Sequence, residues 1–211
     1  MENASFRDLT KKTLFLISLA TARRVGELQA LSHKVSWFGE DACVSYISSF
    51  IAKTESVDNQ LPRSFIIKSL CEFVGDLEQE RLLCPVRALK FYLKASSTII
   101  GRPLNLFVSP RCRQRAISKN ALSYFLRETI SGAGALCPSE GHGLRAHSIR
   151  GVSTSFNFHR NCAVSEISKS ATWRSNIVFA SFYLRDYTYS LDDLYSLGPF
   201  VSAGRVLNNI T

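Results

Sequence analysis

Apolar residues in the first thirty positions of the chain recur at the spacing of a helix. Residues 9–31 predict two helices, because their apolar positions include three-residue intervals that share one helix face. Thr21 and Ala22 interrupt this pattern. A second helix is therefore predicted over Arg24–Leu31.

Residues 35–68 change to the period of a β-strand. Val44–Ser48 alternates apolar and polar side chains, and Arg63–Ile67 is a second run rich in β-forming residues. The polar stretch Lys53–Pro62 lies between them and has the composition of a turn. A small antiparallel sheet is therefore expected near the front of the chain.

The rest of the chain returns to helical patterns. Ser118 is a suitable N-cap, because its hydroxyl can accept a hydrogen bond from an otherwise unpaired helical amide. The further predicted elements are helices over Pro85–Ala95, Lys119–Ile130, Arg145–Arg160, Ser165–Ser170 and Asn176–Tyr183, a short strand over Leu104–Val108 and a loop over Gly132–Gly143. The predicted fold class is mainly α with a small antiparallel β-sheet, an α+β fold, in one domain.

The charge of the chain points to a kind of partner. The sequence holds 26 Lys and Arg against 17 Asp and Glu, which gives a net charge of +9 and a pI near 9.5. Hydrophobic residues make up 45% of the 211 residues and charged residues 20%, as in globular proteins. A polyanion is therefore the first partner to test, and DNA, RNA and a membrane surface all qualify.

Several other classes of protein do not fit the sequence. No apolar run approaches the roughly 20 residues that a membrane helix needs, and the first twelve residues have no signal-peptide layout. The six Cys include no Cys-x-x-Cys pair, and the four His do not stand with them at zinc-ligand spacing. We therefore expect reduced thiols, no bound metal and no cofactor.

Two short strings carry candidate chemistry. The first is Thr-Ala-Arg-Arg-Val-Gly-Glu-Leu at positions 21–28, and the second is His-Ser-Ile-Arg-Gly at positions 147–151. Tyr183 then follows Arg150 by 33 residues and Trp173 by 10. In this order the four elements resemble the catalytic boxes of the tyrosine recombinases, the phage-integrase family, over roughly residues 6–197.

The resemblance implies a tyrosine recombinase catalytic-domain fold and metal-independent cleavage and rejoining of DNA, used for recombination and integration. In such an enzyme a tyrosine attacks a phosphodiester and forms a 3′-phosphotyrosyl intermediate, which conserves the bond energy for rejoining. Arginines suit this reaction, because forked guanidinium donors stabilise charge on the non-bridging oxygens. The positions that match the family's catalytic residues are Arg24, Lys53, His147, Arg150, Trp173 and Tyr183.

The resemblance also implies a role for each residue that surrounds the phosphate. Arg24 and Arg150 would clamp its oxygens, and the match to the family box selects Arg24 over its neighbour Arg23. His147 would donate to the phosphate or handle the proton of the nucleophile. Trp173 would offer its indole N–H, a neutral donor.

The nucleophile and the general acid have rivals nearby in the sequence. Tyr187 and Tyr189 follow Tyr183 closely, and the family spacing favours Tyr183 as the nucleophile. Lys53 would protonate the leaving 5′ oxygen. It is preferred to Lys68, because it enters the predicted turn whereas Lys68 lies past the second strand.

A dense basic run precedes the helix that Ser118 caps. Arg111, Arg113 and Arg115 stand at alternate positions there. Two interpretations stay open: a solvated loop, and a set of contacts with the phosphate backbone of double-stranded DNA.

Two departures from the family pattern indicate a subfamily. Ala22 stands where many relatives have Gly, and Gly151 follows Arg150 where many have His. With Trp173 ten residues before the tyrosine, the sequence is similar to recombinases of DIRS-like and Ngaro-like retrotransposons, which are eukaryotic mobile elements. A nuclear site of action would follow, and otherwise action in the cytoplasm with the nucleoid.

The resemblance divides the chain into parts and leaves two alternatives. Residues 1–190 would form the catalytic domain, residues 191–211 a tail that packs on a neighbouring protomer, and the family's N-terminal DNA-clamp domain would be absent. Self-association on DNA is expected, as a synaptic tetramer in the family. The alternatives are a type IB topoisomerase, in which Lys generally replaces His147, and an inactive DNA-binding remnant of a mobile element.

Overall fold

The fold is mainly helical, with one small sheet inserted after the second helix. The computed structural model describes residues 4–52, 55, 63–71, 77–136, 146, 148–171 and 173. In chain order the elements are α1 (Phe6–Thr21), α2 (Val25–Gln29), β1 (Leu31–Phe38), β2 (Asp41–Tyr46), β3 (Ser64–Ile67), α3 (Leu77–Leu83), α4 (Pro85–Ser96), α5 (Lys119–Leu136), α6 (Ser148–His159) and α7 (Val164–Ser170). The predicted fold class is confirmed.

Helix α1 begins and ends with clear capping interactions. The Ser5 hydroxyl accepts the amide of Asp8 at 3.1 Å and so caps the first turn. At the other end Ala22 takes the left-handed conformation (φ 51°), and its amide donates to the Ser18 carbonyl at 3.0 Å. The predicted break is therefore confirmed, and it delivers Arg24 to the start of α2.

The three strands pair in the order β1-β2-β3, and both pairings are antiparallel. Val44 of β2 stands opposite Val35 on one side and Phe65 on the other. Along β2 alternate residues are buried, as expected for a sheet with one face on the core. The predicted sheet is thus confirmed, with β2 and β3 overlapping the two predicted strands.

The sequence pattern did not predict β1. The predicted second helix ran to Leu31, whereas α2 ends at Gln29 and Leu31 opens the strand. Leu31 is fully buried at this junction, and a buried apolar residue fits the end of a helix as well as the start of a strand.

Helix α1 lies at the centre of the helical layer, where it contacts α4, α5 and α6. Tyr92 of α4 is fully buried beside it and stacks on Phe6, with ring centroids 5.5 Å apart. The Tyr92 hydroxyl accepts the Val108 amide at 3.0 Å, which satisfies the one polar group of this side chain. The core is therefore organised around α1.

Some predicted boundaries differ from the structure. Helix α5 continues to Leu136, so Gly132 is helical rather than part of a loop, at a cost of only about 1 kcal/mol. Helix α3 was not predicted. The stretch Leu104–Val108 forms only isolated bridges, between Ser32 and Asn105 and between Val108 and Ala116, instead of a strand.

Two other predicted segments, the helix at 176–183 and the tail at 191–211, lie outside the described residues. Among the helices that are described, none combines the length and the apolar character needed to cross a bilayer.

Candidate active site

Arg24 is fixed at the point where α2 begins. Its backbone is extended (φ −68°, ψ 152°), and its amide donates to Glu27 Oε2 at 2.9 Å. Its side-chain Nη1 donates to the other oxygen of the same carboxylate at 3.0 Å. Glu27 is buried, whereas 22% of the Arg24 side chain is exposed. A buried acid therefore orients an arginine that stays accessible.

Arg24 lines an open cleft of about 750 Å³ beside α2. Two further basic residues, Lys119 and Arg127, line it from α5. Ile51, which follows β2, and Ala146, which precedes α6, also form part of its wall. With the Glu27 charge already opposed by Arg24, the cleft is electropositive and suits an anion such as a phosphate.

Helix α5 places its basic residues on one face. Ser118 accepts an amide of the first turn at 3.2 Å, which confirms the predicted N-cap. Lys119, Ser123 and Arg127 follow at four-residue intervals, and such residues share a helix face. Lys119 packs across Gly26 of α2, with its Nζ 3.8 Å from the position that a Cβ there would take. Lys119 and Arg127 were not predicted as site residues from the sequence, although their regular spacing indicated that they share one face of the predicted helix.

Arg150 and Trp173 are both buried and contact each other. Arg150 lies in the first turn of α6, is 2% exposed, and donates through Nη2 to the carbonyl oxygen of Ala171. Its Cζ lies 4.7 Å from the centroid of the Trp173 ring, a stacked cation–π contact. Arg150 is not among the residues that line the cleft. The structure thus places the two predicted arginines in different environments.

The pKa of the buried Tyr46 hydroxyl is shifted by charges from both motif strings, at positions 21–28 and 147–151. Burial is the main cause that raises the pKa of Tyr46 to about 12. The charges of Arg23 and Arg150 lower this pKa. The charges of Glu27 and Glu55 raise it. The charges of Glu27 on α2 and Arg150 on α6, which are far apart in the sequence, therefore act on the same hydroxyl.

Three predicted site residues, Lys53, His147 and Tyr183, lie outside the described residues. Ile51 and Ala146 stand two positions before Lys53 and one before His147 in the sequence. Both line the cleft with Arg24. Over the described part of the chain no group of three or more His, Cys, Asp or Glu is arranged to bind a metal ion.

The predicted DNA-binding run lies in a loop between the bridged residues Val108 and Ala116. Arg111, Arg113 and Arg115 are all exposed there. The guanidinium of Arg113 stacks on the Phe6 ring, with its Cζ 4.5 Å from the centroid.

Arg113 of this loop and Arg24 of the cleft lie at opposite ends of α1. Phe6 opens the helix and Arg24 follows its last turn, and a 16-residue helix is about 24 Å long. Arg113 is therefore remote from Arg24, whereas the chain after the loop leads into α5, whose Lys119 lines the cleft.

Comparison of the chain with protein-family models gives no match, and comparison with curated proteins gives none. Among solved structures, a XerA recombinase matches over 92% of this chain, with a TM-score of 0.57 and 17% sequence identity. The fold is similar to that of a recombinase. The match covers 61% of that structure's chain, so this chain spans about three fifths of it. At this identity the comparison shows the fold alone.

Proposed function

We propose that this chain is a tyrosine recombinase catalytic domain that cleaves and rejoins duplex DNA through a 3′-phosphotyrosyl intermediate. The observation that carries the proposal is Arg24, which a buried Glu27 fixes in the wall of a basic cleft. This arginine lies in the first of the four sequence elements that resemble the family's catalytic boxes. The likeness of the fold to a XerA recombinase adds support.

The proposed reaction is an in-line exchange at phosphorus. The Tyr183 oxygen bonds to phosphorus while its proton passes to the imidazole of His147. The bond to the 5′ oxygen breaks as that oxygen takes a proton from the Lys53 ammonium. Rejoining runs the same steps in reverse. The proposed reaction uses no metal or cofactor.

Two arginines are proposed to stabilise the charge of the transition state. Arg24 has the exposure and position to meet a phosphate that enters the cleft. Arg150 supplies the second guanidinium, and Trp173 supplies a neutral indole donor, as the sequence boxes imply. The stacking of Trp173 on Arg150 supports a joint role, because it fixes the plane of the guanidinium fork.

The proposed partner is duplex DNA, with self-association into a synaptic tetramer. Lys119 and Arg127 support DNA binding next to the reacting phosphate, since they share the cleft with Arg24. The exposed loop with Arg111, Arg113 and Arg115 is proposed to contact the phosphate backbone farther along the duplex. An origin in a eukaryotic DIRS-like or Ngaro-like element, with action in the nucleus, stays a prediction from the sequence.

The proposal is tested with a library of nicked duplexes that trap a covalent complex. Cleavage next to a nick releases a short fragment, so rejoining fails and the protein stays attached to DNA. We expect a band that survives denaturing electrophoresis. Binding with no such band would contradict an enzyme and favour a DNA-binding remnant. Relaxation of supercoiled plasmid without sequence preference would instead favour a topoisomerase.

A further inference from the structure

A buried carboxylate stands in the connection that follows β2. The side chain of Glu55 is only 6% exposed. Its Oε2 accepts the amide of Ala52 at 2.6 Å, and its Oε1 lies 3.3 Å from Nη2 of Arg63. Because burying a carboxylate is unfavourable unless it is paired and hydrogen-bonded, these two contacts explain how Glu55 is accommodated.

Arg63 also forms a hydrogen bond with the backbone on the other side of Ile51. Its Nη1 donates to the carbonyl oxygen of Phe50 at 2.7 Å, and its own carbonyl accepts the Tyr46 amide at 3.0 Å. Glu55 and Arg63, which together form the Glu55–Arg63 clamp, thus hold the carbonyl before Ile51 and the amide after it.

The segment that the clamp holds forms part of the cleft wall. Phe50 and Ile51 both line the cleft with Arg24. Ile51 is 77% exposed, so core packing does not hold it in place. Phe50 is anchored on one side by Tyr46, whose ring centroid lies 4.9 Å from its own. The Glu55–Arg63 clamp therefore holds the backbone on both sides of Ile51, whose own side chain is not held by packing.

We propose that Glu55 and Arg63 are positioning residues for the proton transfer to the leaving 5′ oxygen. They fix residues 50–52, two of which line the cleft and which directly precede Lys53 in the sequence. This inference rests on the proposed function. It adds two residues that act through the position of Lys53.

The test uses two duplexes that differ in one atom. Both carry randomised flanks and one defined linkage, whose bridging 5′ atom is oxygen in one duplex and sulfur in the other. An alkoxide must be protonated as it leaves, whereas a thiol with a pKa near 8.5 leaves readily as the thiolate. Loss of a correctly placed acid therefore slows cleavage of the oxygen duplex only.

We expect Glu55→Gln and Arg63→Gln to slow adduct formation at least about tenfold on the oxygen duplex, because general acid catalysis supplies roughly 10²–10⁴-fold. On the sulfur duplex they should stay within about twofold of the parent protein, by the same argument. Lys53→Ala should show the same selectivity. Glu40→Gln is the matched control, since it removes an exposed ion pair with Lys90 (2.9 Å) and should leave both rates unchanged.

The contrary outcomes separate the two levels of the proposal. Equal slowing on both duplexes, or none, in the clamp variants would overturn the positioning role while the adduct itself upholds the recombinase. Lack of sulfur rescue in Lys53→Ala would remove the general acid and this inference with it. An unmodified chain that forms no adduct on either duplex would overturn both. Arg63→Lys keeps the charge opposite Glu55 but loses the fork, and it should show the same oxygen-selective defect with an unchanged unfolding midpoint.

Discussion

Glu27 holds Arg24 with both of its carboxylate oxygens, one on the backbone amide at 2.9 Å and one on Nη1 at 3.0 Å. The pair locks the direction in which the arginine leaves the start of α2. Since Glu27 is buried and Arg24 is partly exposed, Glu27 holds the arginine in place and Arg24 can contact a ligand in the cleft. This pre-arrangement is what a transition-state clamp requires.

Arg24→Lys tests whether the Arg24 guanidinium stabilises the transition state, because it keeps the positive charge and removes the fork. A lysine retains the ion pair with Glu27 but loses the planar fork, so it cannot reproduce the paired donors. We expect covalent adduct formation to slow by about 100-fold, or roughly 2.7 kcal/mol, as when an oxyanion donor is lost. Single-turnover rates on the trapping duplex measure this. Arg81→Lys, on the exposed side of α3, is the control, and an Arg24→Lys rate within threefold of the parent would refute the assignment.

Lys119 and Arg127 should bind DNA phosphates. Replacing either by Gln removes one cation from the cleft, and with one phosphate fewer neutralised the slope of log K against log salt should fall by about 0.9. Fluorescence anisotropy of a labelled duplex over a series of salt concentrations measures the slope. Lys94→Gln on the exposed side of α4 should leave it unchanged. Unchanged slopes in both cleft variants would place the DNA elsewhere.

The sequence was sufficient for the fold class, because periodicity is a local property. The break at Ala22, the start of α2 and the N-cap at Ser118 all depend on neighbouring residues, and all three are confirmed. The strand at Leu31 was missed, because a buried apolar residue is compatible with both periods.

The candidate site could be predicted only in part. The match to the family pattern identified Arg24, Arg150 and Trp173 as candidate site residues. Only the order of the motifs along the chain associated them with one another. Whether a basic residue on α5 faces the cleft depends on how that helix packs across Gly26, which is a tertiary relationship. Local patterns do not contain it, so Lys119 was not chosen.

Trp173→Phe separates the indole donor from the stacking role. Phenylalanine keeps a ring for Arg150 to stack on but has no N–H, so stability should fall by less than about 1.5 kcal/mol. Adduct formation should slow about tenfold, a smaller loss than for a charged donor. Trp173→Ala removes the ring as well and should cost about 3–5 kcal/mol. Thermal unfolding and adduct rates, measured together, check this. Full activity in Trp173→Phe would leave Trp173 with packing alone.

Tyr46 should make stability fall at high pH. Burial raises the pKa of its hydroxyl to about 12 in the folded chain, against about 10 when unfolded. The folded state therefore disfavours the phenolate, so this contribution is complete below pH 10 and is lost as pH rises toward 12. We expect the parent to lose about 1 kcal/mol more than Tyr46→Phe between pH 9 and pH 11. Urea unfolding measures it, with the exposed Tyr124→Phe as control. Identical pH profiles would show that Tyr46 titrates normally.

The proposed function requires a covalent bond between this chain and DNA through Tyr183. The most direct measurement is the denaturation-resistant adduct on the trapping duplexes, compared among the parent protein, Tyr183→Phe and the matched control Tyr187→Phe. We expect an adduct for the parent and the control, and none for Tyr183→Phe, which should still shift DNA in a native gel. An adduct formed by Tyr183→Phe, or a parent that binds DNA without forming one, would contradict it.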